Sequence, residues 1–444
     1  MAKIQLSDHF TYKKLIRYSI PMIGVLILTS IYGVVDGLFI SNVEGDIAFS
    51  AVNLILPGVM MFSSIGFMMG SGGAAIVSKT LGEGKKEKAS QYFSMIVYFL
   101  IIIGIVCAIL GCILTKQISS LLGASEKMEK YCIEYGRVLF LFLPFMMLQY
   151  MFQSFFAVAE KPNVGLLITL CAGITNAIGD YLLIVVFRLG ITGAAVASGA
   201  SMVVGSVPAI IYFAFKKDLK FKLVPTKFDW KALGHTMSNG SSEMVTNISM
   251  SFVNMLYNAQ LMKYYGENGV SAYGVIMYVG FIFSGCYMGV SQAVAPVVGY
   301  NYGASNEEEL KNVFKKSLII LAVMAIFLTG SAEALSKPLA YVFFSHNEEL
   351  LKLTTYAIRL YAIGYTISWI NIFGSAFFTG LNNGLVSAII SFGRMLVFQL
   401  ATIFILPLIF DSTGLWLAMP VSEVFSLIVT VTFFITMRKK YNYA

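Results

Sequence analysis

Two aspartates stand in stretches otherwise apolar enough to lie in hydrocarbon. Asp180 lies within the run from Gly165 to Phe187, and Asp36 lies within Tyr32-Gly33-Val34-Val35-Asp36-Gly37-Leu38-Phe39-Ile40. An acid at membrane depth costs about 3 kcal/mol even on insertion scales, so residues of this kind face a polar cavity and work or pair there. Helical spacing supplies neighbours. Asn176 is one turn before Asp180 and Tyr32 one turn before Asp36, each on the same face as its acid. Carboxylates joined by amide and hydroxyl oxygens form a hard-oxygen cage for a cation, and crowded, desolvated carboxylates can instead share a proton. Hydrogen bonding between neighbouring helices is the structural use open to the same two acids.

A second charged group belongs to the other half of the chain. Glu243 and Arg394 each fall about ten residues in from the same side of their apolar segments at helical rise, with Glu423 not far off in depth. One cluster of the three leaves one net negative charge. Two roles are open to it: attracting a cation or taking up a proton, or stapling helices together. Aromatic faces stabilise cations and methionine repacks around varied shapes, so Tyr257, Tyr287 and Met288 are candidate lining for a cavity that takes lipophilic cations.

These residues need helices that cross a membrane. Of 444 residues 57% are hydrophobic and only 12% charged, about half the charge of a soluble protein. Cutting at the Lys/Glu/Gly-rich breaks leaves twelve apolar segments, near 15–40, 50–77, 92–115, 133–159, 163–187, 191–215, 236–262, 272–299, 313–335, 353–379, 384–409 and 413–437. The expected fold is all-α and integral to the membrane. The polar leader with Lys3, Lys13, Lys14 and Arg17 precedes a segment too long for a cleaved signal, so that segment is a retained span. Most Lys and Arg, including Lys85, Lys86 and Lys88 and the run from Lys216 to Lys231, fall in alternate loops, which predicts both termini in the cytoplasm. The net charge of +8 is accounted for by this topology and needs no nucleic acid. Cys107, Cys112, Cys132, Cys171 and Cys286 lie in or beside apolar segments without a C-x-x-C, so neither a disulfide framework nor a zinc site is expected.

The basic connection from Lys216 to Lys231 divides six spans from six. Arg137 and Arg359, Phe155-Phe156 and Phe377-Phe378, and Thr192-Gly193 and Thr413-Gly414 recur at offsets of 222, 222 and 221 residues. A constant offset marks a duplicated unit, and six spans per copy make the copies parallel, so two pseudo-symmetric six-helix lobes are expected, residues 1–218 and 219–444. Such lobes can rock about a central cavity. The run Val35-Asp36-Gly37-Leu38-Phe39-Ile40-Ser41-Asn42, the duplicated layout, and Gly240-Ser241-Ser242-Glu243 opening span 7 together resemble the multidrug and toxic compound extrusion (MATE) transporters. Pro420-Val421-Ser422-Glu423 points to their MepA-like bacterial branch.

The resemblance covers essentially the whole chain. It implies an antiporter of a bacterial plasma membrane that exports drugs and organic cations in exchange for H⁺ or Na⁺ and needs no cofactor; a monomer is the expected state, which the resemblance itself leaves open. It also implies a coupling site at Asp36, Asn176, Asp180 and Ser198, with Gln153 standing where family members carry Asn, and Na⁺ held by Asp36, Asn176 and Asp180 in the sodium-driven case. The acid that other branches carry in span 10 falls at Ser368.

Other classes fit less well. The sequence has no H-E-x-x-H, G-x-S-x-G or Walker loop, and Ala177-Ile178-Gly179-Asp180 lacks the first Gly of the G-x-G-D pattern of intramembrane aspartyl proteases, so no enzyme is expected. A flippase for a lipid-linked oligosaccharide or related amphiphile is the nearer rival. It needs a strongly basic cavity, whereas the deep candidates here are mostly acidic.

Overall fold

Runs of apolar sequence become helices that outlast the apolar segments, and at several of them a polar side chain caps the first turn. The computed structural model describes residues 4–444, so Lys3 of the basic leader lies outside the described residues. The helices are α1 (Tyr12–Glu44), α2 (Asp46–Gly82), α3 (Lys86–Leu121), α4 (Glu126–Leu141), α5 (Leu143–Val158), α6 (Pro162–Asp180), α7 (Gly190–Phe215), α8 (Trp230–Gly303), α9 (Glu307–Phe344), α10 (Glu348–Gly380), α11 (Gly384–Phe392), α12 (Gln399–Phe410) and α13 (Thr413–Tyr441). Thr11 caps α1 and Asp229 caps α8, while Asn306 and Asn347 cap α9 and α10 ahead of glutamates that suit the positive end of the helix dipole. The third apolar segment, 92–115, sits inside a helix that runs from Lys86 to Leu121 and begins without a side-chain cap.

Among the described residues, nine helices are long and apolar enough to cross a membrane, and α4 with α5, bent by 58° where they meet, makes a tenth. The 74-residue α8 is two spans. Gly266 breaks it with φ 60° and ψ −151°, and its two ends lie along the same half of α2, Thr236 and Gly240 against Gly72 and Tyr300 against Gly82. The chain therefore reverses at Gly266. α10, whose apolar stretch is diluted by Tyr361, Tyr365, Trp369 and Asn371, is packed between α8, α9 and α13 and completes twelve crossings.

The duplication is visible in the backbone. Non-glycine residues with positive φ are uncommon, yet Glu160 and Asn382, both at 59°, stand 222 residues apart, and Arg188 (54°) and Asp411 (52°) stand 223 apart. Gly84 (78°) and Ser305 (54°) differ by 221. The same interval relates contacts between the lobes. A Cβ on Gly82 would meet the Tyr300 carbonyl oxygen at 2.0 Å, and one on Gly303 would meet the Lys79 carbonyl oxygen at 2.1 Å. Subtracting 82 from 303, or 79 from 300, gives 221 both times, so one close approach is the other turned about the axis between the lobes.

Two hydrophobic cores follow from this layout, one from Ile40 to Leu233 and one from Val253 to Tyr443. The second core also takes in Leu6, Phe10, Leu15, Tyr18 and Met22, so the first turns of α1 pack with the second half of the chain while the turns bearing Asp36 pack with the first. Hydrogen bonds between residues 4–218 and 219–444 gather, among the described residues, at the end carrying both termini. Phe10 donates its amide to Glu309 at 2.8 Å and accepts from Lys316, Asn301 donates to the Leu6 carbonyl, Lys220 pairs with Glu160, and Asn382 donates to the Ala75 carbonyl. Toward the other end, α1 and the second arm of α8 part beyond Gly285, leaving an apolar cavity of about 300 Å³ lined by Ile27, Ser30, Ile31, Val35, Tyr278, Phe281 and Ile282. The molecule is closed by polar contacts at its terminal end and holds an apolar cavity between α1 and α8 toward the opposite one.

Candidate functional site

The last turn of α6 and the middle of α1 bring the two aspartates together. Their carboxyl groups neighbour one another, and Asp180 is wholly buried. The Tyr135 hydroxyl on α4 donates to Asp36 Oδ2 at 3.3 Å and also neighbours Ser198 on α7. Asn176 donates its amide to Ser198 Oγ at 3.4 Å. Asp36, Asp180, Asn176, Ser198 and Tyr135 therefore form one polar group where α1, α4, α6 and α7 meet.

That group is one positive charge short. Both Asp180 carboxyl oxygens and Asp36 Oδ1 are buried without a donor among the described residues. Two unit negative charges about 4 Å apart repel by about 4 kcal/mol at an effective dielectric of 20, so the site needs one proton between the carboxyls or one cation held by them. Oxygen ligands are what a hard monovalent cation takes. The chain distorts locally here, because residues Tyr181–Val186 form a π-helical turn directly after Asp180.

Two expected members lie apart. The Tyr32 hydroxyl donates to the Thr169 carbonyl at 2.5 Å, and its ring lies over Gly173, where a Cβ would meet it at 1.9 Å. Tyr32 thus fixes α1 against α6 beside the site instead of binding in it. Gln153, in α5, is buried with Nε2 unpartnered and makes no described hydrogen bond to the acids. Tyr135 was not expected. It sits in an amphipathic segment beside Arg137, where nothing in the spacing distinguishes it from an interfacial tyrosine.

The charged group of the second lobe is a pair, not the three-membered cluster expected. Arg394 Nε donates to Glu423 Oε1 at 2.8 Å, Asn371 Nδ2 donates to Glu423 Oε2 at 2.7 Å, and Thr430 donates to Asn371 Oδ1 at 2.8 Å. Glu243, on the first arm of α8, makes no described ion pair and accepts from Asn247 only through its backbone carbonyl. Arg394 belongs to a second π-helical turn, Gly393–Phe398. Beside the pair is a cavity of about 90 Å³, walled by Tyr273, Tyr361, Tyr365, Phe281, Met277 and Met395 among others. Tyr257, Tyr287 and Met288 are not part of that wall. The first two are fully buried with their hydroxyls committed to the Leu415 and Tyr365 carbonyls, so they pack the core.

A family model described as MatE matches residues 21–182 and again 244–405. The chain belongs to the MatE family. The two matches start 223 residues apart, 244 less 21, the interval already seen in the backbone. The MatE chain is 25% identical over 416 residues to the multidrug export protein MepA of Staphylococcus haemolyticus, covering 93% of this chain and 90% of that protein. It is 24% identical over 419 residues to MepA of Staphylococcus aureus strain NCTC 8325, covering 93% and 91%. Its fold matches that of a multidrug resistance MATE family transporter in an outward-facing conformation with a TM-score of 0.92 at 21% identity, over 100% of this chain and 99% of that one. This MatE protein is accordingly a multi-pass membrane transporter and not an enzyme.

Proposed function

We propose that this MatE transporter is a multidrug exporter of the MepA-like branch, working by antiport of organic, often cationic and lipophilic, compounds against H⁺ or Na⁺. The observation that carries the proposal is the Asp36–Asp180 pair, two neighbouring carboxyls with Asp180 buried and without a donor among the described residues. A proton or Na⁺ at the pair relieves repulsion worth a few kcal/mol, and a difference of that size between two conformations shifts their populations by two to three decades. The pair joins α1 to α6, and α1 runs from one hydrophobic core to the other, so occupancy of the pair is read out where the lobes meet. Residues 1–218 and 219–444 are the proposed moving bodies. The closed terminal end is the proposed cytoplasmic one, in a bacterial plasma membrane, with the protein acting as a monomer.

A lipid-linked pyrophosphate would need several cations in the cavity. Arg394 alone lies in the second-lobe cavity, and it is paired with Glu423. In liposomes preloaded with a fluorescent lipophilic cation, an imposed pH or Na⁺ gradient should drive dye movement. No movement under either gradient refutes the antiport reading.

A further inference from the structure

The cavity beside Arg394 has a polarity opposite to that of the acid pair. Glu423 is the only acid in its wall, and both of its carboxylate oxygens are spent, Oε1 on Arg394 Nε and Oε2 on Asn371 Nδ2. Arg394 is not spent. Its side chain is 16% exposed, and neither terminal nitrogen of the guanidinium has a hydrogen-bond partner among the described residues, which leaves its outer N–H groups turned to the cavity it lines. A planar edge of that kind matches a carboxylate with two parallel hydrogen bonds.

Two further groups of the wall offer uncommitted donors. The Tyr365 hydroxyl lies over Gly280, where a Cβ would meet it at 2.3 Å, and donates to no described residue. Asn254 has its oxygen engaged by the Tyr273 hydroxyl at 2.9 Å, which leaves its amide N–H groups free. A guanidinium edge, a phenol and an amide thus line one space, with the Gln399 amide and the Ser284 hydroxyl as the other polar groups of the wall that make no side-chain hydrogen bond among the described residues. About 90 Å³ holds a carboxylate with one or two waters, at about 30 Å³ per water, and not a whole drug-sized molecule. Phe281 lines both this cavity and the apolar cavity between α1 and α8, so a ligand anchored at Arg394 has an apolar exit for the rest of its body.

We infer that the second-lobe cavity is a carboxylate subsite in which Arg394, assisted by Tyr365 and Asn254, binds the anionic group of amphiphiles that also carry a cationic or aromatic body. This inference rests on the transport reading for its role in export, but not for binding itself. Zwitterionic aromatic acids are then the preferred ligands, while purely cationic esters of the same bodies bind without the anchor.

The test uses the full chain in detergent and fluorescence polarisation with two probes, tetramethylrhodamine, which carries a free carboxylate, and its methyl ester, which does not. Wild-type protein should bind the acid at least about tenfold tighter than the ester, and Arg394→Gln/Glu423→Gln, which replaces the ion pair by a neutral hydrogen-bonded pair, should bind both alike with ester affinity kept. Tyr365→Phe, which keeps the ring packing, should cut the preference roughly threefold. Equal binding by wild type, or a preference unchanged in the double variant, overturns the inference. If the double variant binds neither probe, Tyr365→Phe decides, and an unchanged preference there overturns it. A preserved acid preference alongside failed gradient-driven transport would instead overturn the antiport reading and leave the subsite standing.

Discussion

Tyr135 and Asp36 are 99 residues apart in sequence and 3.3 Å apart in space, the phenol on α4 donating to a carboxylate on α1. That bond is the only donor described for Asp36, and it ties the acid pair to the bent α4–α5 span. Removing the hydroxyl with Tyr135→Phe leaves one more carboxylate oxygen without a donor and keeps the aromatic packing. A hydrogen bond to a charged group contributes about 1.5–3 kcal/mol, so the concentration of coupling ion giving half-maximal transport should change roughly tenfold or more. Transport measured against ion concentration checks this, and an unchanged half-saturation would remove Tyr135 from the site.

The approach of α2 to α8 leaves no room for side chains. A Cβ on Gly72 would meet the Thr236 carbonyl oxygen at 2.1 Å, and that oxygen is backbone and cannot rotate away. Gly72→Leu should therefore hold the lobes apart at the terminal end. Spin labels at Lys88 and Lys311, exposed positions on the two lobes in a cysteine-free background, should report a longer distance by electron double resonance and slower transport. A distance distribution identical to that of wild type would show that the contact does not control closure.

Glu309 holds the N-terminal segment against α9. It accepts from the Phe10 amide at 2.8 Å and from Asn312 at 2.7 Å, and it lies 2.7 Å from His9 Nδ1, an exposed ring that adds little. Glu309→Ala removes these acceptors at a buried position, a loss of about 2 kcal/mol, or about thirtyfold in local opening. Hydrogen exchange of the Leu6–Phe10 amides should speed up by that order while the amides of α10 stay protected. Equal protection in both proteins would mean that the segment is held without Glu309, by its apolar contacts and the bonds that Asn301 and Lys316 make to its carbonyls.

Much of this architecture is legible in the sequence because bilayer thickness imposes it. An apolar run of membrane length has few alternatives to a helix, and a duplicated chain repeats its landmarks at one interval, so Arg137 and Arg359 point to the same two lobes as Glu160 and Asn382 do in the backbone. Asp36, Asp180 and Asn176 stand out for the same reason, since polar groups are costly in hydrocarbon. Pairing is not legible in that way. The depth of Glu243 resembles that of Arg394, but depth along a helix leaves its rotation free, and rotation is what turns Arg394 to Glu423 and leaves Glu243 outside the pair. Tyr257 and Tyr287 show the same limit, because aromatic residues pack cores and line cavities with equal ease. The two spans of α8 are legible, because the polar stretch around Lys263, Glu267 and Asn268 parts the apolar segments 236–262 and 272–299, and the chain turns there at Gly266.

The central claim is that the Asp36–Asp180 pair converts ion occupancy into lobe movement. Asp180→Asn removes one of the two charges while preserving size and hydrogen-bonding capacity, so the fold should be kept and the need for a proton or Na⁺ lost. In proteoliposomes, both gradient-driven accumulation of a fluorescent lipophilic cation and its exchange at equilibrium, with no gradient imposed, should be measured for the two proteins. The account predicts that the variant loses accumulation by at least about a hundredfold, the scale of a 3 kcal/mol coupling, while exchange continues. Accumulation by Asp180→Asn at the wild-type rate would contradict it.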